Sequence, residues 1–94
     1  MVINPTEIKK LSDLLKADGI AHDFIEKKYA MGSHYEVCIP TATAWQNRTG
    51  FSVSINSLTG GHASGLIEFW DGHHDPVGNL TAEQALEIVR KKVK

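Results

Sequence analysis

The sequence has 94 residues, of which 41% are hydrophobic and 22% charged, and its formal net charge is −1. This composition is typical of a globular protein and excludes a disordered, collagen-like or low-complexity chain. Because the sequence has no surplus of basic residues, nucleic acid is not expected as a partner.

The length fits one domain that spans residues 1–94 and holds a small hydrophobic core. The sequence lacks the basic start and following apolar segment that are typical of a signal peptide. No apolar run approaches the ~18 residues of a membrane span. The single cysteine, Cys38, has no second cysteine for an internal disulfide, which is usual in a reducing compartment. We therefore expect a cytoplasmic protein that does not contact a membrane.

Each end of the chain is predicted to form a helix. Near the N-terminal end an Asn-Pro pair precedes apolar residues at helical spacing, and Gly19 is typical of a helix end, which predicts a helix over residues 5–18. Near the C-terminal end Thr81 and Gln84 match a capping box ahead of a second apolar stripe, which predicts a helix over residues 82–92. Each helix therefore has one apolar face that can pack on a sheet.

Four segments between these helices are predicted to be strands, because they alternate apolar and polar residues or form short apolar runs. They are Ile20–Lys28, His34–Ile39, Phe51–Ser57 and Leu66–Trp70. The polar segment Thr41–Gly50 and the turn-rich segment Asp71–Asn79 are predicted to be loops. The predicted fold class is α+β: a four-stranded antiparallel meander sheet with N- and C-terminal helices packed on one face, in the order α-β-β-β-β-α.

The histidines and glycines in the loops are residue types that also occur in metal and phosphate sites. The histidines His62, His73 and His74 belong to no HExxH or Cys/His pattern, and adjacent histidines seldom bind the same ion. The glycine-rich segment Gly60–Gly65 is followed by a predicted strand, whereas a phosphate loop is followed by a helix. We therefore predict no metal ion and no cofactor.

Two side-chain pairs on the predicted strands resemble parts of active sites. Cys38 and His34 share a face of one strand but lie roughly 13 Å apart at 3.3 Å per residue, which is too far for a hydrogen bond. Glu36 and Glu68 would form a carboxylate pair only on neighbouring strands, and Phe51–Ser57 is expected between them. We therefore predict no catalytic residue.

The helices are predicted to cover the sheet face that bears Tyr35, Val37, Ile39, Phe51, Val53, Ile55, Ile67 and Phe69. The opposite face of the sheet is then left uncovered. Five residues of this face form a predicted partner surface: Ser52, Ser54, Asn56, Glu68 and Trp70. Protein interfaces combine a few aromatic anchors with a polar surround, as this set does. The alternative is that Trp70 folds against the Asp71–Asn79 loop and that the face is only hydrated.

Five segments of the sequence carry a resemblance: LLKADGI, HYEVCIP, FSVSINS, GLIEFW and VGNLTAEQALEIV. Together they resemble a group of small proteins, without an assigned function, that are encoded in phages and prophages of Gram-positive bacteria. The resemblance covers about Leu11–Lys92. It implies a phage or prophage origin and a bacterial host cell, and it supplies no site residue.

The predicted function is that of a non-enzymatic phage or prophage accessory protein that binds another protein. An inhibitor of host defence, such as an anti-CRISPR protein, is one form of this hypothesis, although the strongly acidic character usual for such inhibitors is missing. Two alternatives stay open. One is a metal- or cysteine-dependent enzyme centred on the loop histidines and Cys38, and the other is a self-associating structural module that forms a homodimer.

Overall fold

The computed structural model describes residues 3–30 and 32–93. Its elements are, in chain order, α1 (Thr6–Ala17), β1 (Asp23–Tyr29), β2 (Gly32–Ile39), α2 (Ala42–Gln46), β3 (Phe51–Ile55), a 3₁₀ turn (His62–Ser64), β4 (Ile67–Trp70), β5 (Val77–Leu80) and α3 (Ala82–Lys92). The strands form one antiparallel sheet in the order β1-β2-β3-β4-β5. The α+β class with a helix at each end is confirmed.

The sheet has five strands, so the prediction of four is wrong by one. The additional strand, β5, lies where the sequence predicts the end of the Asp71–Asn79 loop, and it pairs with β4 through Phe69 and Ile67. Its central residues are Gly78 and Asn79, which are both uncommon in strands. Asn79 also has a φ angle of 59°, so the strand is irregular and shows no alternating pattern in the sequence.

The predicted loop Thr41–Gly50 contains the short helix α2. The Thr41 side chain accepts a hydrogen bond of 3.0 Å from the backbone N–H of Ala44 and so caps the helix. With only five residues, α2 is too short for an apolar stripe to reveal it in the sequence.

The hydrophobic core lies between the sheet and the two long helices. The sheet residues predicted to face the helices are buried, except for Phe51, which is partly buried. Core residues with less than 1% of their surface exposed include Ile8 and Leu11 of α1 and Val89 of α3. The predicted core face of the sheet is therefore confirmed. No helix in the described ranges is long and apolar enough to cross a membrane.

The helices α1 and α3 run parallel to each other, side by side. At their starts, Glu7 Oε1 accepts a 2.8 Å hydrogen bond from the backbone N–H of Ala82. Towards their ends, Asp18 accepts a 2.6 Å hydrogen bond from Nε of Arg90. The predicted capping box at the start of α3 is also present. Glu7 thus adds a carboxylate to the positive end of the α3 dipole.

Candidate functional site

The sheet face turned away from α1 and α3, called the second face below, holds the residues singled out from the sequence. Residues directly opposite each other on neighbouring strands share a face. The strand register therefore brings the following side chains to the second face: Asp23, Ile25, Lys27, His34, Glu36, Cys38, Ser52, Ser54, Glu68 and Trp70. Asn56 follows β3 and contacts His34 of this set. All five residues of the predicted partner surface thus belong to one face.

One end of the second face is covered by α2. The carboxylate of Asp23 accepts a 2.7 Å hydrogen bond from the backbone N–H of Ala42, the first residue of α2. The rings of Trp45 and Trp70 meet edge to face with centroids 5.5 Å apart. Beneath this cover Ser52 is only 3% exposed, so its side chain is not accessible to a partner.

Trp70 is also held by the Asp71–Asn79 loop. Its indole N–H donates a 2.7 Å hydrogen bond to the backbone carbonyl of His74. The Asp71 carboxylate accepts hydrogen bonds of 2.8 Å from the backbone N–H groups of His73 and His74 and contacts the His74 ring at 2.7 Å. These contacts, the backbone ones first, hold the pKa of Asp71 well below its usual range. Trp70 therefore folds against the Asp71–Asn79 loop, as the alternative to the predicted partner surface has it.

The loop histidines do not form a cluster of metal ligands. In residues 3–30 and 32–93 no three His, Cys, Asp or Glu side chains are grouped to hold one ion. Nδ1 of His62 instead contacts the backbone carbonyl of Thr59 at 2.7 Å. The backbone N–H groups of His73 and His74 and the ring of His74 contact Asp71.

The glycine-rich segment Gly60–Gly65 folds back onto the sheet. The backbone N–H of Gly60 donates a 3.0 Å hydrogen bond to Oε2 of Glu68, and its carbonyl accepts one of 3.2 Å from Asn79. The amide of Gly60 is therefore engaged by a carboxylate of the protein itself, which opposes an anion at this position. As predicted, Glu36 and Glu68 lie on strands separated by β3, and both pair with Ser54.

A hydrogen-bonded network occupies the middle of the second face. The Ser52 hydroxyl donates to Oε2 of Glu36 at 2.5 Å, Oε1 of Glu36 lies 3.6 Å from Nε2 of His34, and Nδ1 of His34 lies 2.9 Å from Nδ2 of Asn56. The His34 ring and then the Ser52 hydroxyl hold the pKa of Glu36 below its usual value. At 3.6 Å the His34 contact is too long for a hydrogen bond, so it acts as a weaker polar interaction.

This network contains serine, histidine and carboxylate in an order that does not suit catalysis. A serine hydrolase places the imidazole between the serine and the carboxylate, so that the ring takes the serine proton. Here the carboxylate of Glu36 lies between Ser52 and His34, and Ser52 is buried. The network therefore orders the face and does not activate a nucleophile.

Cys38 is an unreactive thiol in this environment. Burial, followed by the charge of Glu36, raises its pKa to about 12. The thiolate is the nucleophilic form of cysteine, and at neutral pH almost none of it is present at such a pKa. The side chain is 1% exposed. A cysteine-dependent activity has no support in this geometry.

At the opposite end of the second face from α2, a tight turn projects Leu58 into solvent. The backbone N–H of Leu58 donates a 2.8 Å hydrogen bond to the side chain of Asn56, and the backbone N–H of Asn56 donates one of 3.1 Å to the Thr59 hydroxyl. A third bond of 3.2 Å joins Thr59 N–H to the Asn56 carbonyl. Leu58 is 93% exposed on this ordered turn.

Leu58 and the exposed Tyr29 border a hollow of about 540 Å³. The remaining residues of this hollow, called the Leu58 hollow below, are Gly32, Ser33, His34, Asn56 and Ser57. Sequence reasoning missed it, because Leu58 belongs to no strand pattern. The sequence does contain one indication of this turn, the order Asn-Ser-Leu-Thr-Gly. Asparagine favours turns because its side chain can form a hydrogen bond with the backbone of the second residue after it.

The fold and the second face together define a small α+β protein with an antiparallel meander sheet. Comparison of the chain with protein-family models, with curated proteins and with solved structures finds no match. Its function is therefore inferred from the geometry of the two ends of this face.

Proposed function

We propose that the protein is a non-enzymatic binding module that recognises another protein through the Leu58 hollow. The observation that carries this proposal is the 93% exposure of Leu58 on a turn fixed by hydrogen bonds among Asn56, Leu58 and Thr59. Full burial of a leucine side chain contributes about 1.5–3 kcal/mol. Because the turn is already ordered, a partner that buries Leu58 does not have to order the loop.

The charges at the rim indicate the chemistry of the partner. Lys27 and Lys28 are exposed and lie opposite His34 and Ser33, two residues of the hollow. A complementary segment would therefore present an apolar side chain next to a carboxylate, with the apolar group against Leu58 and the carboxylate near the lysines. Such charge complementarity mainly sets specificity and the rate of association.

The predicted partner surface overlaps this site only in part. Asn56 lines the hollow, and Ser54 and Glu68 lie partly exposed on the same face, whereas Ser52 and Trp70 lie at the other end. The resemblance to phage and prophage proteins makes a host or phage protein the expected partner. The anti-CRISPR form of the hypothesis stays a prediction.

The proposal is tested by comparing the affinity of a captured partner for three forms of the protein. A partner is first isolated from a Gram-positive host lysate on the immobilised wild type. Its dissociation constant is then measured by biolayer interferometry for the wild type, Leu58→Ser and Val93→Ser. Val93 is 47% exposed and lies outside the hollow, so its variant removes apolar surface elsewhere.

We expect Leu58→Ser to weaken binding about 10-fold or more, since 1.4 kcal/mol corresponds to a tenfold change. Val93→Ser should leave the affinity unchanged. Equal affinities of the wild type and Leu58→Ser would refute this site. Isolation of a second copy as the partner, with a dimer in sedimentation velocity that Leu58→Ser dissociates, would favour the self-associating module instead.

A further inference from the structure

A second hollow lies at the covered end of the second face, in the corner between two tryptophan rings. It measures about 200 Å³ and is lined by Trp45, Gln46, Arg48, Trp70 and Gly72. The interplanar angle of the two rings is 71°, so they form two walls that meet nearly at a right angle. This hollow is called the tryptophan corner below.

Both walls are fixed by contacts within the protein. The indole N–H of Trp70 is bound to the carbonyl of His74 at 2.7 Å. The ring of Trp45 lies over Gly72, where an added Cβ would come within 3.4 Å of the ring. A ligand would therefore meet aromatic surfaces that are already positioned, which lowers the entropic cost of binding.

The backbone conformation of Arg48 is unusual for an arginine. It follows the last turn of α2, where the N–H of Arg48 bonds to the Trp45 carbonyl at 3.0 Å and that of Thr49 bonds to the Ala44 carbonyl at 2.9 Å. The residue at this position has a φ angle of 60°, and helices usually place glycine there. Of the described residues with positive φ, only Arg48 and Asn79 are not glycine, and asparagine tolerates this region. Arg48 thus stands where glycine would fit without strain.

The charge of Arg48 is not neutralised by the described part of the chain. No ion pair joins it to a carboxylate there, whereas Arg90 pairs with both Asp18 and Glu87. The guanidinium group is planar and binds carboxylate or phosphate oxygens through two parallel hydrogen bonds. Residues in sparsely populated backbone regions cluster at functional sites. An unpaired arginine that lines the same hollow as two tryptophans suits an external anion.

We propose that the tryptophan corner binds a small planar anion, an aromatic or heteroaromatic ring that carries a carboxylate or a phosphate group. The ring packs against Trp45 and Trp70, and the anionic group binds Arg48. The hollow is smaller than the roughly 300–1,000 Å³ of pockets for drug-sized ligands, so it admits one ring. This site lies at the other end of the second face from the Leu58 hollow, and neither proposal depends on the other.

Intrinsic fluorescence tests this site directly, because both tryptophans of the chain form its walls. Benzoate and phenyl phosphate serve as probes, benzyl alcohol supplies the ring without the charge, and inorganic phosphate supplies the anion without the ring. Each is titrated against the wild type, Arg48→Gly and Arg48→Lys. Thermal unfolding of each variant shows that it is folded, and Arg48→Gly is suited to the backbone at this position.

We expect a saturable fluorescence change with benzoate or phenyl phosphate at millimolar concentration. Binding should be about 10-fold weaker or more in Arg48→Gly, because the anionic group loses its charge-assisted hydrogen bonds to the guanidinium group. Arg48→Lys should be intermediate, since it keeps the charge and loses the planar fork. The inference is overturned if neither probe gives a saturable change, if Arg48→Gly binds as the wild type does, or if benzyl alcohol or inorganic phosphate binds as well as the aromatic anions.

Discussion

Replacement of Arg48 by glycine is expected to stabilise the fold. The φ angle of Arg48 is 60°, and a non-glycine residue in this left-handed region costs about 1–2 kcal/mol. Glycine also increases the conformational entropy of the unfolded chain, which lowers the free energy of unfolding by about 0.4–1 kcal/mol. The difference predicts that Arg48→Gly raises the free energy of unfolding by about 0.5–1 kcal/mol. For a chain of this length that corresponds to a rise in Tm of about 2–8 °C.

Urea and thermal unfolding followed by circular dichroism measure this effect, and Arg48→Ala is the matched control. Alanine removes the same guanidinium group but keeps a Cβ, so the backbone strain remains and no gain is expected. If the alanine variant gained as much stability as the glycine variant, the gain would come from loss of the charge and not from relief of backbone strain. A glycine variant that is less stable than the wild type would also refute the reasoning.

Three further results follow from burial and charge. Ile55→Ala, which empties a fully buried site, should lower the free energy of unfolding by about 2–5 kcal/mol, whereas Leu58→Ala should change it by less than about 0.5 kcal/mol in urea titrations. Cys38 should react with iodoacetamide at pH 8 only after denaturation, and rapid labelling of the folded protein would contradict its burial and its pKa of about 12. Because the pKa of Glu36 is lowered in the fold, its contribution to stability is present above the usual value of 4.5 and is lost as the pH falls through the folded pKa. The free energies of unfolding of the wild type and Glu36→Gln, measured from pH 7 to pH 3, should therefore converge below pH 4.5, and a constant difference would contradict this assignment.

The elements that the sequence predicts well are those fixed by local patterns. The alternation from Phe51 onwards identified β3 and its buried side, because a strand with one face on a core has period two. Thr81 and Gln84 marked the start of α3, because both capping bonds are local. Gly19 indicated the end of α1, and its φ angle is 70°.

The features that the sequence does not reveal depend on contacts between distant segments. β5 is a strand because β4 offers it an edge, although Gly78 and Asn79 disfavour that state. Ser52 is polar and is predicted to lie on an accessible surface, but it is buried, and its hydroxyl donates a hydrogen bond to Glu36. The exposure of Leu58 and the strain at Arg48 are likewise consequences of turn geometry, which composition and periodicity do not encode.

The parallel pair of α1 and α3 constrains how the chain folds during its synthesis. Glu7 and Ala82, which are hydrogen-bonded at the start of this pair, are separated by 75 residues. At roughly 5–20 residues per second, α1 emerges from the ribosome about 4–15 s before α3 does. During that interval the apolar stripe of α1 and the core side of the nascent sheet have no α3 to cover them. The nascent chain is therefore most exposed to aggregation, and most dependent on a holding chaperone, immediately before α3 emerges.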